Sequence, residues 1–427
     1  MRLSQRTGTS GWRIELKQAM MKLTLGDIQA ARGRLAGTIA VTPCPESLSL
    51  SELTGSRIFC KMEHLHRTGS FKERGARNAL LLLSDEQRRR GVIAASAGNH
   101  ALGLSYHGKL LGIPVTVVMP VFAPLIKIAN CRSLNAHVVL HGRTLAEARA
   151  KADDLVKERH LTYIHGFNDP AIIAGQGSLG LEILEQVPDC DAIIVPVGGA
   201  GLIAGVALAV KALRPQVMII GVESKNSPGY QQALRSQQPT LVEPRPTLAD
   251  GLAVGQIGVV SFALARQYVD RVVDVGEEHL ALAILRLLEQ EKMVVEGAGA
   301  AGLAAFLSGQ LAELAGRRVV LVLSGGNIDP IVLSRVIDKG LVADGRLCRF
   351  TATISDRPGG LAEFAACLAE ANASIMDVAH DRAFAGPDIS AVQVLCTVET
   401  HDRKHIQQML KSLAKFHPRL LPVDLQT

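Results

Sequence analysis

The stretch KMEHLHRTGSFKERGA (residues 61–76) decides how the rest of this chain is read. Residues 57–62 are a short apolar strand, and the polar run 64–70 is a loop. Phe71-Lys72 then opens a helix that continues through Gly75 into Asn78-Ala79-Leu80-Leu81-Leu82-Leu83. Thr68 and Ser70 are candidate N-caps, and Gly69 lets the loop turn sharply into the helix. Lys72 falls in the first helical turn, where the macrodipole is positive and an ammonium is least welcome. A lysine that is also buried there has a depressed pKa, and a neutral amine is what a Schiff base needs. Taken alone, Lys72 could equally be a solvated residue on a surface helix. Three further loops rich in Gly, Ser and Asn, each at a strand-to-helix junction, favour the chemical reading.

Strands and helices alternate on either side of this stretch. Residues 23–36 suit an amphipathic helix. A buried strand at 91–95 ends in Ser96-Ala97-Gly98-Asn99-His100, and a helix of small residues follows over 101–111. Strands are expected at 115–119, 137–141 and 161–164, with helices over 123–134 and 145–159. A helix at 175–186 precedes the strand 192–197, which Gly198-Gly199-Ala200-Gly201-Leu202 turns into a helix reaching Leu213. Strands at 217–222 and 271–275, helices at 277–291 and 297–307, and a very apolar strand at 317–323 complete this region. The last strand ends in Ser324-Gly325-Gly326-Asn327. Continuous apolar strands alternating with helices predict an α/β fold with a largely parallel sheet covered on both faces. Ligands of such sheets bind beyond the carboxyl ends of the strands. Lys72 and the other three loops all fall there.

The loops differ in what they can hold. Gly198-Gly199-Ala200-Gly201 can converge backbone N–H groups on a phosphate, or can simply permit tight packing. No Lys-Ser/Thr follows, so it is not a nucleotide P-loop. Gly297-x-Gly299-x-x-Gly302 matches the dinucleotide fingerprint, but no acid stands about 20 residues beyond it. Those glycines read as close helix packing, and the preceding Glu296, by itself, as an ordinary helix-capping carboxylate.

With 427 residues, 48% of them apolar and 20% charged, the chain suits a compact enzyme of about two to three domains. A formal charge of +6 is mild and dispersed, giving no case for nucleic acid. The seven cysteines are odd in number and lack metal-type spacing, as expected of reduced thiols in a cytoplasmic protein. No run is long enough for a membrane span. Residues 1–22 are basic, free of acids until Glu15, and read as an N-terminal extension. Near Leu341 the character changes to an order strand, helix, strand, strand, helix, with a possible last strand near Leu420.

Ser70-Phe71-Lys72-x-Arg74-Gly75 resembles the cofactor-lysine motif of the threonine/serine dehydratase (threonine ammonia-lyase) family, pyridoxal-phosphate enzymes of the tryptophan-synthase-β fold type. The resemblance runs over residues 24–329, with several motifs in family order. Residues 346–423 are similar to the ACT domain, a ferredoxin-like α+β amino-acid sensor, with 356–380 carrying the likeness. A purely structural appendage is the alternative there.

The resemblance implies a PLP fold type II catalytic domain over 23–340, built from two open, mainly parallel subdomains (the smaller about 67–165), and an ACT regulatory domain over 346–427. It implies pyridoxal 5'-phosphate on Lys72, which also takes the Cα proton. Phe71, Asn99, Gly198, Gly199, Ala200, Gly201, Leu202, Glu296 and Ser324 would contact the cofactor. Asn99 would meet its phenolic oxygen, the glycine loop its phosphate, and the Ser324 hydroxyl its ring nitrogen. Ser96, Gly98, Asn99 and His100 would hold the substrate carboxylate, with no proton transfer assigned to His100. Asp356, Pro358 and Gly359 would bind an amino-acid effector.

The implied reaction is that of a carbon–oxygen lyase, taking L-threonine to 2-oxobutanoate and ammonia, and L-serine to pyruvate. Rivals are a 3-hydroxyaspartate lyase, β-replacement on the same scaffold, and a catalytically silent amino-acid sensor. A homodimer or homotetramer is expected, with no nucleic acid or membrane partner. Two departures matter. Ala200 stands where the family has a fourth glycine, at a strain of about 1–2 kcal/mol if its φ is positive. Ala97 stands where the racemase branch has its second proton donor, a serine. No metal site is expected, because Gly229 replaces the aspartate that accompanies Glu223 in that branch.

Overall fold

The computed structural model describes residues 23–381 and 390–421. The expected extension at 1–22 lies outside the described residues, as do Ile389 and the last residues of the C-terminal region. The described chain divides into two compact units. One takes in the residues up to Gly276 together with Leu287–Asp329; the other takes in Glu277–Arg286 and the residues from Pro330 on.

In the first unit the strands are β1 (Glu46–Ser47), β2 (Arg57–Lys61), β3 (Val92–Ala95), β4 (Val115–Met119), β5 (His137–Leu140), β6 (Thr162–Tyr163), β7 (Ala192–Pro196), β8 (Met218–Ser224), β9 (Arg271–Val275) and β10 (Arg318–Val322). They form two sheets, β1-β2-β10-β7-β8-β9 and β5-β4-β3-β6. Every pairing is parallel except that of the short edge strand β1 with β2. In the middle of the larger sheet, Ile193, Ile194, Val195, Val319, Val320 and Leu321 are all buried. Strands this apolar require helices on both faces.

One core joins β7 and β10 to the helices Leu25–Leu35, Pro170–Gln186, Gly201–Leu213 and Val259–Tyr268. A second lies under the smaller sheet and the helices Lys72–Leu81 and Asn99–Leu111. The helix Pro170–Gln186 begins well before the expected residue 175. Asp169 accepts the Ala171 N–H at 2.8 Å, and Pro170 fills the first turn without leaving a donor unpaired. Its glycines serve for close approach to neighbouring helices. The helices Leu48–Thr54, Asp85–Arg90, Gly229–Ser236, Val259–Tyr268 and Pro330–Asp344 have no counterpart in the sequence reading.

The second unit carries β11 (Leu347–Ser355), β12 (Ser374–Asp381), β13 (Ala391–Glu399) and β14 (Arg419–Leu420) in an antiparallel sheet of order β12-β13-β11-β14. Alternation along β11 and β13 turns Phe350, Ala352, Ile354, Val392, Val394 and Cys396 to one face. Phe364 and Leu368 of the helix Gly360–Glu370, and Ile406 and Met409 of the helix Arg403–Ser412, join them in one core. The helix Pro330–Asp344 belongs to this unit, where Asp344 pairs with Arg286 at 2.5 Å. Among the described residues no helix is long and apolar enough to cross a membrane.

Candidate active site

Four loops of the first unit leave the carboxyl ends of β2, β3, β7 and β10, and the expected cofactor and substrate residues lie on them, except Glu296, the N-cap of the helix Gly297–Leu307. Thr68 and Ser70 do not cap the helix Lys72–Leu81. Phe71 occupies the N-cap without a side-chain bond, and both hydroxyl oxygens are buried without a partner. The local capping rule gives way because the loop is pinned elsewhere. The Phe71 N–H donates to the Ser324 carbonyl at 3.0 Å, the Gly326 N–H to the Gly69 carbonyl at 2.9 Å, and Ser70 bridges to Gly325. The lysine loop and the Ser324 loop therefore form one structure.

Lys72 is half-buried, and its Nζ donates to the Gly166 carbonyl at 2.8 Å. Its amine is lowered to about 8 by burial, against an opposing pull from Glu296. Glu296 is buried and pushed up to about 7, first by burial and then by the charge of Asp250. Asn99 Nδ2 donates to Glu296 Oε1 at 2.7 Å. Asn327 Nδ2 donates both to Asn99 Oδ1 at 2.8 Å and to the Thr68 carbonyl at 2.6 Å. This relay fixes the Asn99 amide and leaves it one N–H for a ligand. Ser324 is buried, and its hydroxyl bonds no other residue among those described.

The loop after β3 supplies Ser96, whose Oγ accepts the Gly98 N–H at 3.3 Å, and opens the helix Asn99–Leu111. His100 Nε2 meets the Ile164 carbonyl at 3.0 Å, and burial lowers the ring to about 3. Burial thus disfavours its charged form, and its Nδ1 has no partner among the described residues.

In the glycine loop Ala200 is the N-cap of the helix Gly201–Leu213 at φ +66, the left-handed conformation that strains an L-residue. Among the described residues no N–H of residues 198–202 donates to another residue. Phe167 packs directly on Gly199, leaving no room there for a Cβ. Its carbonyl would lie 2.6 Å from a Cβ on Gly201. The peptide 166–167 thus touches both Lys72 and the glycine loop. His165 Nδ1 secures it by accepting the N–H groups of Phe167 and Asn168 at 3.3 and 3.1 Å.

Sequence reasoning missed Gly166 and Phe167, which carry no motif signal, and gave no role to Asn327 within Ser-Gly-Gly-Asn. Glu223 accepts the N–H groups of Tyr230 and Gln231 at 2.6 and 2.9 Å, and so caps the start of the helix Gly229–Ser236. Asp356, Pro358 and Gly359 lie in the second unit, between β11 and the helix Gly360–Glu370.

These groups fit pyridoxal phosphate. An aldehyde needs a lysine that loses its proton readily, a phosphate needs unspent N–H groups at a helix start, and a ring nitrogen needs a free hydroxyl. Lys72, residues 198–202 and Ser324 supply them, and the unpartnered Thr68 and Ser70 hydroxyls lie beside the lysine.

A family model for pyridoxal-phosphate dependent enzymes matches residues 35–325. An L-threonine ammonia-lyase of Thermotoga maritima is 45% identical over 391 residues, 92% of this chain and 97% of that protein. The processed threonine deaminase isoform 2 of Solanum lycopersicum superposes with a TM-score of 0.71 at 35% identity, covering 80% of this chain and 92% of that one. A serine racemase of Dictyostelium discoideum does so with a TM-score of 0.68 at 34% identity, covering 72% and 99%. A lysine poised to lose its proton, an anion cradle and a match across two thirds of the sequence lead to one conclusion: the chain belongs to the pyridoxal-phosphate dependent enzyme family.

Proposed function

We propose that this chain is a threonine ammonia-lyase that converts L-threonine to 2-oxobutanoate and ammonia, and L-serine to pyruvate. The observation that carries the proposal is the Lys72 amine, lowered to about 8 and set among Asn99, Glu296 and the Ser324 loop. Pyridoxal phosphate, when bound, supplies the electron sink that makes the amino acid's α-hydrogen acidic. Lys72 bears the cofactor and, once free and neutral, takes the Cα proton. The N–H groups of Gly198, Gly199, Ala200, Gly201 and Leu202 would hold the phosphate. Ser324 offers the ring nitrogen a neutral hydroxyl, which suits elimination better than long-lived carbanion chemistry. Phe71 and Glu296 would contact the cofactor, and Asn99 would give its remaining N–H to the phenolic oxygen. Ser96, Gly98, Asn99 and His100 receive the substrate carboxylate at a helix N-terminus.

The second unit is proposed as an ACT-like regulatory domain whose effector contacts are Asp356, Pro358 and Gly359, in a cytoplasmic homodimer or homotetramer. Its strand and helix order supports this reading. So does the family match, which ends at residue 325, while the likeness to the Thermotoga relative spans 92% of the chain. The test is 2-oxo acid release from L-threonine, L-serine and 3-hydroxyaspartate, with and without isoleucine, valine and AMP. Release from threonine, altered by one of these effectors, is expected. No release from any substrate would overturn the lyase reading, and release indifferent to every effector would overturn the regulatory one.

A further inference from the structure

We infer that Arg74, two residues beyond Lys72, is the positioning residue that holds the Lys72 amine against the Gly166 carbonyl. Arg74 is 1% exposed, and all five of its N–H groups are engaged. Nε donates to Glu63 Oε2 at 2.6 Å, and Nη2 to Glu63 Oε1 at 2.8 Å and Glu182 Oε2 at 2.7 Å. Nη1 donates to Glu182 Oε1 at 2.6 Å and Ser178 Oγ at 3.1 Å. Both carboxylates are buried and held from behind. Thr42 Oγ1 donates to Glu63 at 2.6 Å, and His66 Nε2 lies 3.0 Å from it. Lys61 Nζ reaches Glu182 at 2.7 Å, the Thr42 carbonyl at 2.7 Å and Gln186 Oε1 at 2.9 Å. Two carboxylates thus face one guanidinium and one ammonium, so the buried charge balances.

The two carboxylates come from the two sides that must meet for Lys72 to be placed. Glu63 lies in the turn after β2, where the lysine loop begins. Glu182 lies in the helix Pro170–Gln186, which starts just past Gly166 and carries its peptide. That helix and the lysine helix touch where a Cβ on Gly175 would lie 2.7 Å from both the Arg74 carbonyl and Gly75 Cα. Donor and acceptor of the Lys72–Gly166 hydrogen bond are therefore tied to one guanidinium. A planar fork can face two carboxylates at once, and an ammonium cannot.

The inference rests on reading Lys72 as the cofactor-bearing residue, but its test reads the amine without cofactor or substrate. The full chain, stripped of cofactor, is treated with a limiting acylating reagent across pH, and the Lys72 peptide is quantified by mass spectrometry. The titratable groups facing Lys72 are Glu296, His100 and His165, none of which is altered in the variants. In the parent the labelling midpoint is expected at about 8, where burial disfavours the ammonium. In folded Arg74→Lys the amine, no longer held inside against Gly166, regains solvent, and the midpoint is expected at least about one unit higher. Labelling at pH 7 should then fall about tenfold, one pH unit being tenfold in free amine.

Should Arg74→Lys not fold, Glu182→Gln and Ser178→Ala decide, with a larger shift expected for the first. A residue that only stabilises the fold would lower the melting temperature and leave the midpoint alone. An unchanged midpoint in every folded variant would overturn the inference. A parent midpoint near the ordinary 10.5 would overturn the reading of Lys72 and the inference with it.

Discussion

The two polar regions that meet at the helix Lys72–Leu81 are built on opposite rules. In the cluster of Lys61, Glu63, Arg74 and Glu182, opposite charges match and every N–H of the guanidinium finds an acceptor. Burial alone would raise the Glu63 carboxyl, yet Arg74 and His66 hold it well below the usual range. Around Lys72 the groups are left short. The Thr68 and Ser70 hydroxyls and His100 Nδ1 have no partner among the described residues, the amine is lowered and Glu296 is raised. Buried polar groups in a settled interior are satisfied, so an unsatisfied set beside a matched one marks where a ligand belongs. On the proposed reading, one region holds the helix and the other does the chemistry.

Changing each side should break a different property. Lys72→Ala is expected to lower 2-oxo acid formation by at least about a thousandfold, within the range for loss of a general base, and to leave the protein folded. Steady-state assay with circular dichroism checks both. Glu63→Ala or Glu182→Ala should instead destabilise by about 3–5 kcal/mol in urea unfolding, because each strands a buried cation.

Glu296 offers an intermediate case. Its folded pKa of about 7 lies above its ordinary 4.5, so its contribution to stability is present below 4.5 and is lost as pH rises through 7. Glu296→Gln keeps an acceptor for Asn99 and removes that loss. The variant should exceed the parent in stability above pH 7 by about 3 kcal/mol, the shift from 4.5 to about 7 being worth about 1.4 kcal/mol per pKa unit. Unfolding at pH 5 and pH 8 measures the difference.

Much of the reacting side is legible in the sequence, because each of its loops follows an apolar run and carries its own glycines, serine or asparagine. Lys72 at a helix start is visible from residues 64–83 alone. The matched side is not legible. Lys61 and Glu182 are 121 residues apart and Arg74 and Glu182 are 108 apart, so no local pattern announces them. The split into two sheets is hidden from the local pattern for the same reason, since β2 pairs with β10 from the far end of the unit; only the family resemblance implies it. Thr68 and Ser70 mislead because a local capping preference is overridden by the Ser324 loop. In the second unit, alternation along β11 and β13 is plain in the sequence. The helix Pro330–Asp344 is not, as it follows the Ser-Gly-Gly-Asn turn without a break in composition.

Smaller effects sharpen the contrast. Ala200→Gly relieves a positive φ and should stabilise the protein by about 1 kcal/mol, read as a rise in melting temperature. Parent enzyme given L-serine should yield no D-serine by chiral chromatography, because the Ala97 methyl can neither give nor take a proton. Inversion at a rate comparable to pyruvate release would place the second proton donor on another residue.

The central claim is that Lys72 is the residue that bears the cofactor, and borohydride reduction of the cofactor-loaded protein tests it most directly. After digestion, mass spectrometry should find the phosphopyridoxyl group on the peptide containing Lys72 and on no other. The group on a different lysine, or on none, would contradict the account.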